Sequence, residues 1–95
     1  MDNHAWSFAL KFKDNEKEMC DKVDKLIERV DLERIDTNIW KTTGPNSQYL
    51  ALEIITRQEW VMEEIESITC FENNKDVPID YIEIIEKVFP ERIRR

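Results

Sequence analysis

Glycine, histidine and basic charge are all scarce in this chain, and each shortage removes a class of function. Gly44 is the single glycine of 95 residues, so neither a dinucleotide-binding G-x-G-x-x-G turn nor a phosphate-cradling P-loop can be written. His4 is the single histidine, three residues from the first, and no second imidazole exists for a Ser-His-Asp or Cys-His arrangement. Cys20 and Cys70 stand 50 positions apart, which matches neither a disulfide-dense scaffold nor a C-x-x-C metal or redox site; reduced, partly buried thiols are expected. A metal centre from His4, Cys20 and Cys70 would need three distant positions to coincide, so no metal and no cofactor is expected. No apolar run approaches the ~7–15 residues of a signal core or the ~20 of a membrane span, and Met1-Asp2-Asn3-His4 is not basic, so a cytoplasmic protein is expected. The balance of 14 basic against 21 acidic residues, net −7, disfavours direct nucleic-acid binding, which depends on phosphate neutralisation. A non-catalytic protein is the expectation.

What is present is globular. Hydrophobic residues make up 41% and charged residues 37%, with three tryptophans and no low-complexity stretch. A chain of 95 residues forms one domain, 1–95, and buries roughly 60–65% of its unfolded surface, enough for one core.

Residues 5–12 place Trp6, Phe8, Leu10 and Phe12 on one side and Ala5, Ser7, Ala9 and Lys11 on the other, the period of a half-buried strand. Met19, Val23, Leu26, Ile27 and Val30 then follow helical spacing across 14–30. Two period-two segments rich in β-branched and aromatic residues, 34–43 and 48–56, flank Gly44-Pro45-Asn46-Ser47, whose turn chemistry predicts a hairpin. A short helix over 57–67 buries Val61 and Ile65, a short strand covers 68–71, and Tyr81, Ile82, Ile85, Val88 and Phe89 mark a last helix over 78–89 ended by Pro90.

Strand, helix, strand, strand, helix, strand in that order resembles the ferredoxin-like, split βαβ arrangement of an α+β fold: an antiparallel sheet with two helices on one face, here with an extra C-terminal helix. ACT-type regulatory domains share that fold; the glycine they usually carry after the first strand is replaced here by Lys13-Asp14-Asn15. Acylphosphatases share it too, and their glycine-rich phosphate loop is absent.

On this reading the open sheet face holds Ala5, Ser7, Ala9, Trp40, Ala51 and Ile55, which is unusually apolar for a solvated surface. Trp40, Ala51 and Ile55 are therefore the candidate sheet-face interface. The last helix, with Ile79, Ile82, Ile84 and Ile85, is expected to cover that face in its own chain or in a homodimer partner. Asp36 and Glu53 are expected to project there as rim ion pairs.

Charge is uneven: residues 1–49 carry 10 acidic and 8 basic groups, residues 50–91 carry 11 and 3. Glu59, Glu63 and Glu66 fall at i, i+4 and i+7, and Asp80, Glu83 and Glu86 give the last helix a similar edge. Like charges at this spacing repel, which suits a solubilising face or a docking surface for a basic partner. These six carboxylates are the candidate partner-binding residues. The function expected is a small acidic protein-protein interaction module, of the physical kind of an inhibitor or immunity-type antagonist of a basic or nucleic-acid-acting protein. An ACT-like ligand-sensing regulatory domain and a subunit of a larger assembly are the alternatives.

Overall fold

The computed structural model describes residues 6–72 and 76–93; Ala5 and His4 lie outside them. Its elements are β1 (Ser7–Phe12), α1 (Glu16–Leu26), β2 (Leu32–Asp36), β3 (Ile39–Thr42), α2 (Pro45–Thr56), α3 (Glu59–Glu64), β4 (Ile65–Phe71), β5 (Ile79–Asp80) and α4 (Tyr81–Val88), followed by a 3-10 helix at Pro90–Arg92. Among the described residues this is an α+β fold, with a five-stranded antiparallel sheet ordered β2-β3-β1-β4-β5 and four α-helices.

β1 is central and alternates as its sequence does. Phe8, Leu10 and Phe12 are buried, and the register sets Phe8 beside Trp40 and Cys70 and Leu10 beside Ile68. That face meets Cys20 and Val23 of α1, Ala51, Leu52 and Ile55 of α2, Val61 and Met62 of α3, and Ile82 and Ile85 of α4, in a single core. Ser7, Ala9, Lys11, Ile39, Lys41, Ser67, Thr69 and Phe71 occupy the opposite face, and none is buried.

The largest departure from the sequence reading concerns 48–56, which is helix rather than strand. Its buried residues, Gln48, Ala51, Leu52, Ile55 and Thr56, recur at i, i+3, i+4, i+7 and i+8, and Pro45 occupies the first turn, where its missing N–H costs nothing. Gly44-Pro45 therefore begins a helix instead of turning a hairpin. The hairpin lies earlier and splits the expected strand 34–43 into β2 and β3. Asp36, Thr37 and Asn38 make its turn: the Asp36 carboxylate accepts the Thr37 N–H at 2.7 Å and the Arg34 guanidinium donates to the Thr37 carbonyl at 2.7 Å. Asn38 ties this turn to β1, donating through Nδ2 to the Leu10 carbonyl at 2.9 Å and accepting the Leu10 N–H at 3.0 Å.

Three helices are shorter than their apolar periodicity. α1 stops at Leu26, with Ile27 and Val30 still buried in the following turn, so 14–30 overestimates it. Asn15 precedes its first residue, with a φ of 53° in the left-handed region that asparagine tolerates. α3 ends at Glu64, and β4 begins at Ile65 rather than Ile68, because Phe12 of β1 pairs with Ile65. In α4 the start moves from Pro78 to Tyr81, because Asp80 caps it by accepting the N–H groups of Ile82 at 3.0 Å and Glu83 at 3.4 Å.

The last helix does not cover the small-residue face. Tyr81 of α4 lies in ring contact with Tyr49 of α2, their centroids 6.2 Å apart, and Arg92 bonds Glu53 of α2, so the C-terminal segment packs beside α2 on the helix side of the sheet. The face carrying Ser7 and Ala9 is left uncovered by it.

Candidate functional site

The sheet-face interface read from sequence is contradicted residue by residue. Trp40 points to the helix side, fully buried against Phe8 with ring centroids 5.5 Å apart. Ala51 and Ile55 belong to α2 and are likewise fully buried. None of the three can meet a partner without unfolding the core. The pleat explains this: Trp40 pairs with Phe8, so it must share the face of Phe8, and the other two left the sheet when their segment became helical.

The acidic residues are at the surface, in a different arrangement from the one their spacing implied. Glu59 and Glu63 lie one turn apart on α3, both exposed, but Glu66 falls on β4, so the expected three-residue helical stripe is broken after two. Glu83 and Glu86 are exposed on α4; Asp80 beside them serves as its cap. Glu64, Asp76 and Glu91 add three more exposed carboxylates in this half of the chain.

Two arginines of this half, Arg57 and Arg92, are engaged within it. Glu53, on α2 and not on a strand, accepts from Arg57 Nε at 2.7 Å and from Arg92 Nη1 and Nη2 at 3.1 Å each. Arg92 also donates to the Thr56 hydroxyl at 3.2 Å, and its guanidinium carbon sits 4.0 Å from the centre of the Phe89 ring. The hydrogen bond from Arg92, followed by that from Arg57, holds the Glu53 carboxyl below its ordinary pKa.

A comparable knot closes the other side of the molecule. Arg34 pairs with Asp21 at 2.9 Å and lies 5.5 Å from the Trp40 ring centre, while the Trp40 indole donates to Asp24 at 2.9 Å. Lys17, then Arg34, lowers the pKa of Asp21 through hydrogen bonds.

At the sheet end where β4 finishes, three aromatic residues from distant segments gather. Tyr49 of α2 stands edge-on to Trp6, centroids 6.5 Å apart, and tilted against Tyr81; its hydroxyl donates to Glu72. Burial, and then the Glu72 hydrogen bond, raises the Tyr49 pKa above the ordinary phenol value. Beneath this group Gln48 is completely buried and fully bonded: Nε2 donates to the carbonyls of Ser7 at 2.9 Å and Phe71 at 3.3 Å, and Oε1 accepts the Thr42 hydroxyl at 3.1 Å. Sequence reading missed this corner because Trp6, Tyr49, Glu72 and Tyr81 carry no local pattern; only the pairing of Ser7 with Phe71 and the docking of α2 bring them together.

Both thiols are free and buried, and burial pushes Cys20 up to about 11 and Cys70 up to about 12, which makes them poor nucleophiles and poor ligands. Among the described residues no group of three His, Cys, Asp or Glu side chains is placed to hold a metal ion, and no helix is long and apolar enough to cross a membrane. No protein-family model, no curated protein and no solved structure matches this chain.

Proposed function

We propose that this chain is a small non-catalytic interaction module whose acidic α3–α4 surface docks onto a basic protein partner. The observation that carries the reading is the internal engagement of Arg57 and Arg92 by Glu53, in a half of the chain whose carboxylates at Glu63, Glu64, Glu66, Glu83 and Glu86 are exposed. Repulsion among them is tolerated in the free protein and relieved by a cationic surface, which also accelerates encounter and sets orientation. Such a partner is an enzyme or binding protein whose own site is basic because it handles nucleic acid, with this chain as its inhibitor or immunity-type antagonist.

Strand order β2-β3-β1-β4, with α1 joining β1 to β2 and α2–α3 joining β3 to β4, supports assigning the frame as ferredoxin-like, extended by β5 and α4. Two buried free thiols support a reducing compartment, the cytoplasm.

The test is capture from a lysate of the native host by the intact chain and by a variant with Glu63, Glu83 and Glu86 changed to Lys. A basic protein retained by the first, released with rising salt and absent from the second is the expected result. Equal retention of the same protein by both at low salt overturns the reading.

A further inference from the structure

Among the described residues, aromatic ring, carboxylate and guanidinium meet at two places. Arg34 lies over Trp40 and pairs with Asp21; Arg92 lies over Phe89 and bonds Glu53. In each the cation is held twice, by the negative face of the ring and by the carboxylate charge. A third site has the same ring and carboxylate: Tyr49, backed by Tyr81 and flanked by Trp6, with its hydroxyl on Glu72. Among the described residues no lysine or arginine lies over these rings or pairs with Glu72.

We propose that the Trp6–Tyr49–Glu72 corner is the anchor site for one arginine or lysine side chain of a basic polypeptide partner. The inference rests on the basic-partner reading above and gives it a specific point of attachment. Tyr49 is 37% exposed, so its ring is open to an incoming group, while Tyr81, at 7%, supports it from behind. Val77, 74% exposed, and the exposed Asp76 lead into β5, which pairs with β4 one residue short of Phe71.

The corner is also held in place before any ligand arrives. Its three defining residues are the chain neighbours of Ser7, Gln48 and Phe71, and the buried Gln48 amide bonds the carbonyls of the other two. Trp6 is pinned further, its carbonyl accepting the Thr42 N–H at 2.8 Å. A cation entering here loses its own freedom but does not have to order the site, which is the condition under which a weak single contact becomes usable. Exposed aromatic residues at a rigid position are also the side chains that dominate protein interfaces.

The experiment titrates the isotope-labelled full chain with the blocked tripeptide acetyl-Ala-Arg-Ala-amide, and with its Lys and Gln counterparts, at about 0.15 M salt, where long-range attraction is damped. Saturable shifts of the Trp6 indole and of the Tyr49 and Glu72 amides with the Arg or Lys peptide, absent with Gln, are expected. Tyr49→Ala and Glu72→Gln should each weaken binding about threefold or more, and Glu83→Gln with Glu86→Gln less than about twofold. Glu72→Gln changes a half-buried surface group, so it keeps the test decisive if Tyr49→Ala disturbs the fold. Unchanged affinity in Glu72→Gln, or shifts confined to α3 and α4, overturns the anchor while leaving the acidic-surface reading intact. Saturation at the corner together with equal partner retention by the α3–α4 charge reversal would instead remove that reading and leave the anchor.

Discussion

Arg34 with Trp40 and Tyr49 with Glu72 are two corners of one sheet built from similar parts and finished differently. At the first, an arginine from β2 closes over an indole, and three carboxylate or carbonyl groups of Asp21, Asp24 and Thr37 receive it. The ring beneath is completely buried, so cation and carboxylates act as a lid on the core. At the second, Tyr49 is 37% exposed, its phenol donates to Glu72, and among the described residues no lysine or arginine pairs with that carboxylate. Among the described residues a chain-supplied cation closes the first corner and none closes the second, the difference on which the proposed anchor rests.

That contrast breaks most readily at the closed corner. Trp40→Ala removes a fully buried indole stacked on Phe8 and leaves a cavity, and should cost about 3–5 kcal/mol in chemical denaturation. A loss under about 1 kcal/mol would mean the ring is not part of the core at all. Next comes the support beneath the open corner: Gln48→Leu strands the Ser7 and Phe71 carbonyls and should cost about 2–3 kcal/mol, with shifted Trp6 fluorescence reporting a loosened corner. Arg34→Ala is smaller, about 1–2 kcal/mol, because its pair with Asp21 is partly solvated while its bonds to Thr37 fix the hairpin turn. Tyr49→Phe should change stability by less than about 0.5 kcal/mol near neutral pH, since only an exposed hydroxyl is lost. A large loss there would show the open corner to be structural after all.

pH separates the two kinds of corner by sign. Glu53 and Asp21 have folded pKa values below their ordinary ones, so what they contribute is present above that range and fades as pH falls below about 4.5 for Glu53 and 3.8 for Asp21. Glu53→Gln should flatten part of the acid limb of a stability profile. Tyr49 and Tyr81 are shifted the other way, chiefly by burial, so their contribution is intact below about 10 and declines as pH rises beyond it. Tyr49→Phe should therefore flatten part of the alkaline limb and leave the acid limb unchanged; denaturation midpoints across both ranges check this.

Alternation in 5–12 and the 3–4 spacing of α1 were readable because strand and helix periods differ and neither segment is ambiguous. The stretch 48–56 satisfies both periods at once: Leu50, Leu52 and Ile54 alternate, yet Ala51, Leu52 and Ile55 share one helical side. Pro45 in the first helical turn was the signal that favoured helix, and the turn chemistry of Asp36-Thr37-Asn38 was the signal for an earlier hairpin. Misplacing that segment misplaced Ala51 and Ile55, and missing the earlier hairpin misplaced Trp40, since a strand assignment decides which face every side chain takes. The acidic residues fared better, because a carboxylate's exposure depends little on whether its backbone is helix or strand.

By itself the sequence determined composition, the acidic second half, the apolar stripes and the absence of glycine-rich or histidine-based machinery, all of which are local or additive properties. Only the tertiary structure decided which arginines are engaged, which face of the sheet is covered, and that Trp6, Tyr49, Glu72 and Tyr81 share a corner. The physical reason is that strand register and helix docking are set by many weak contacts acting together, so they bring residues dozens of positions apart to within hydrogen-bond and ring-contact distance without leaving a trace in any short window.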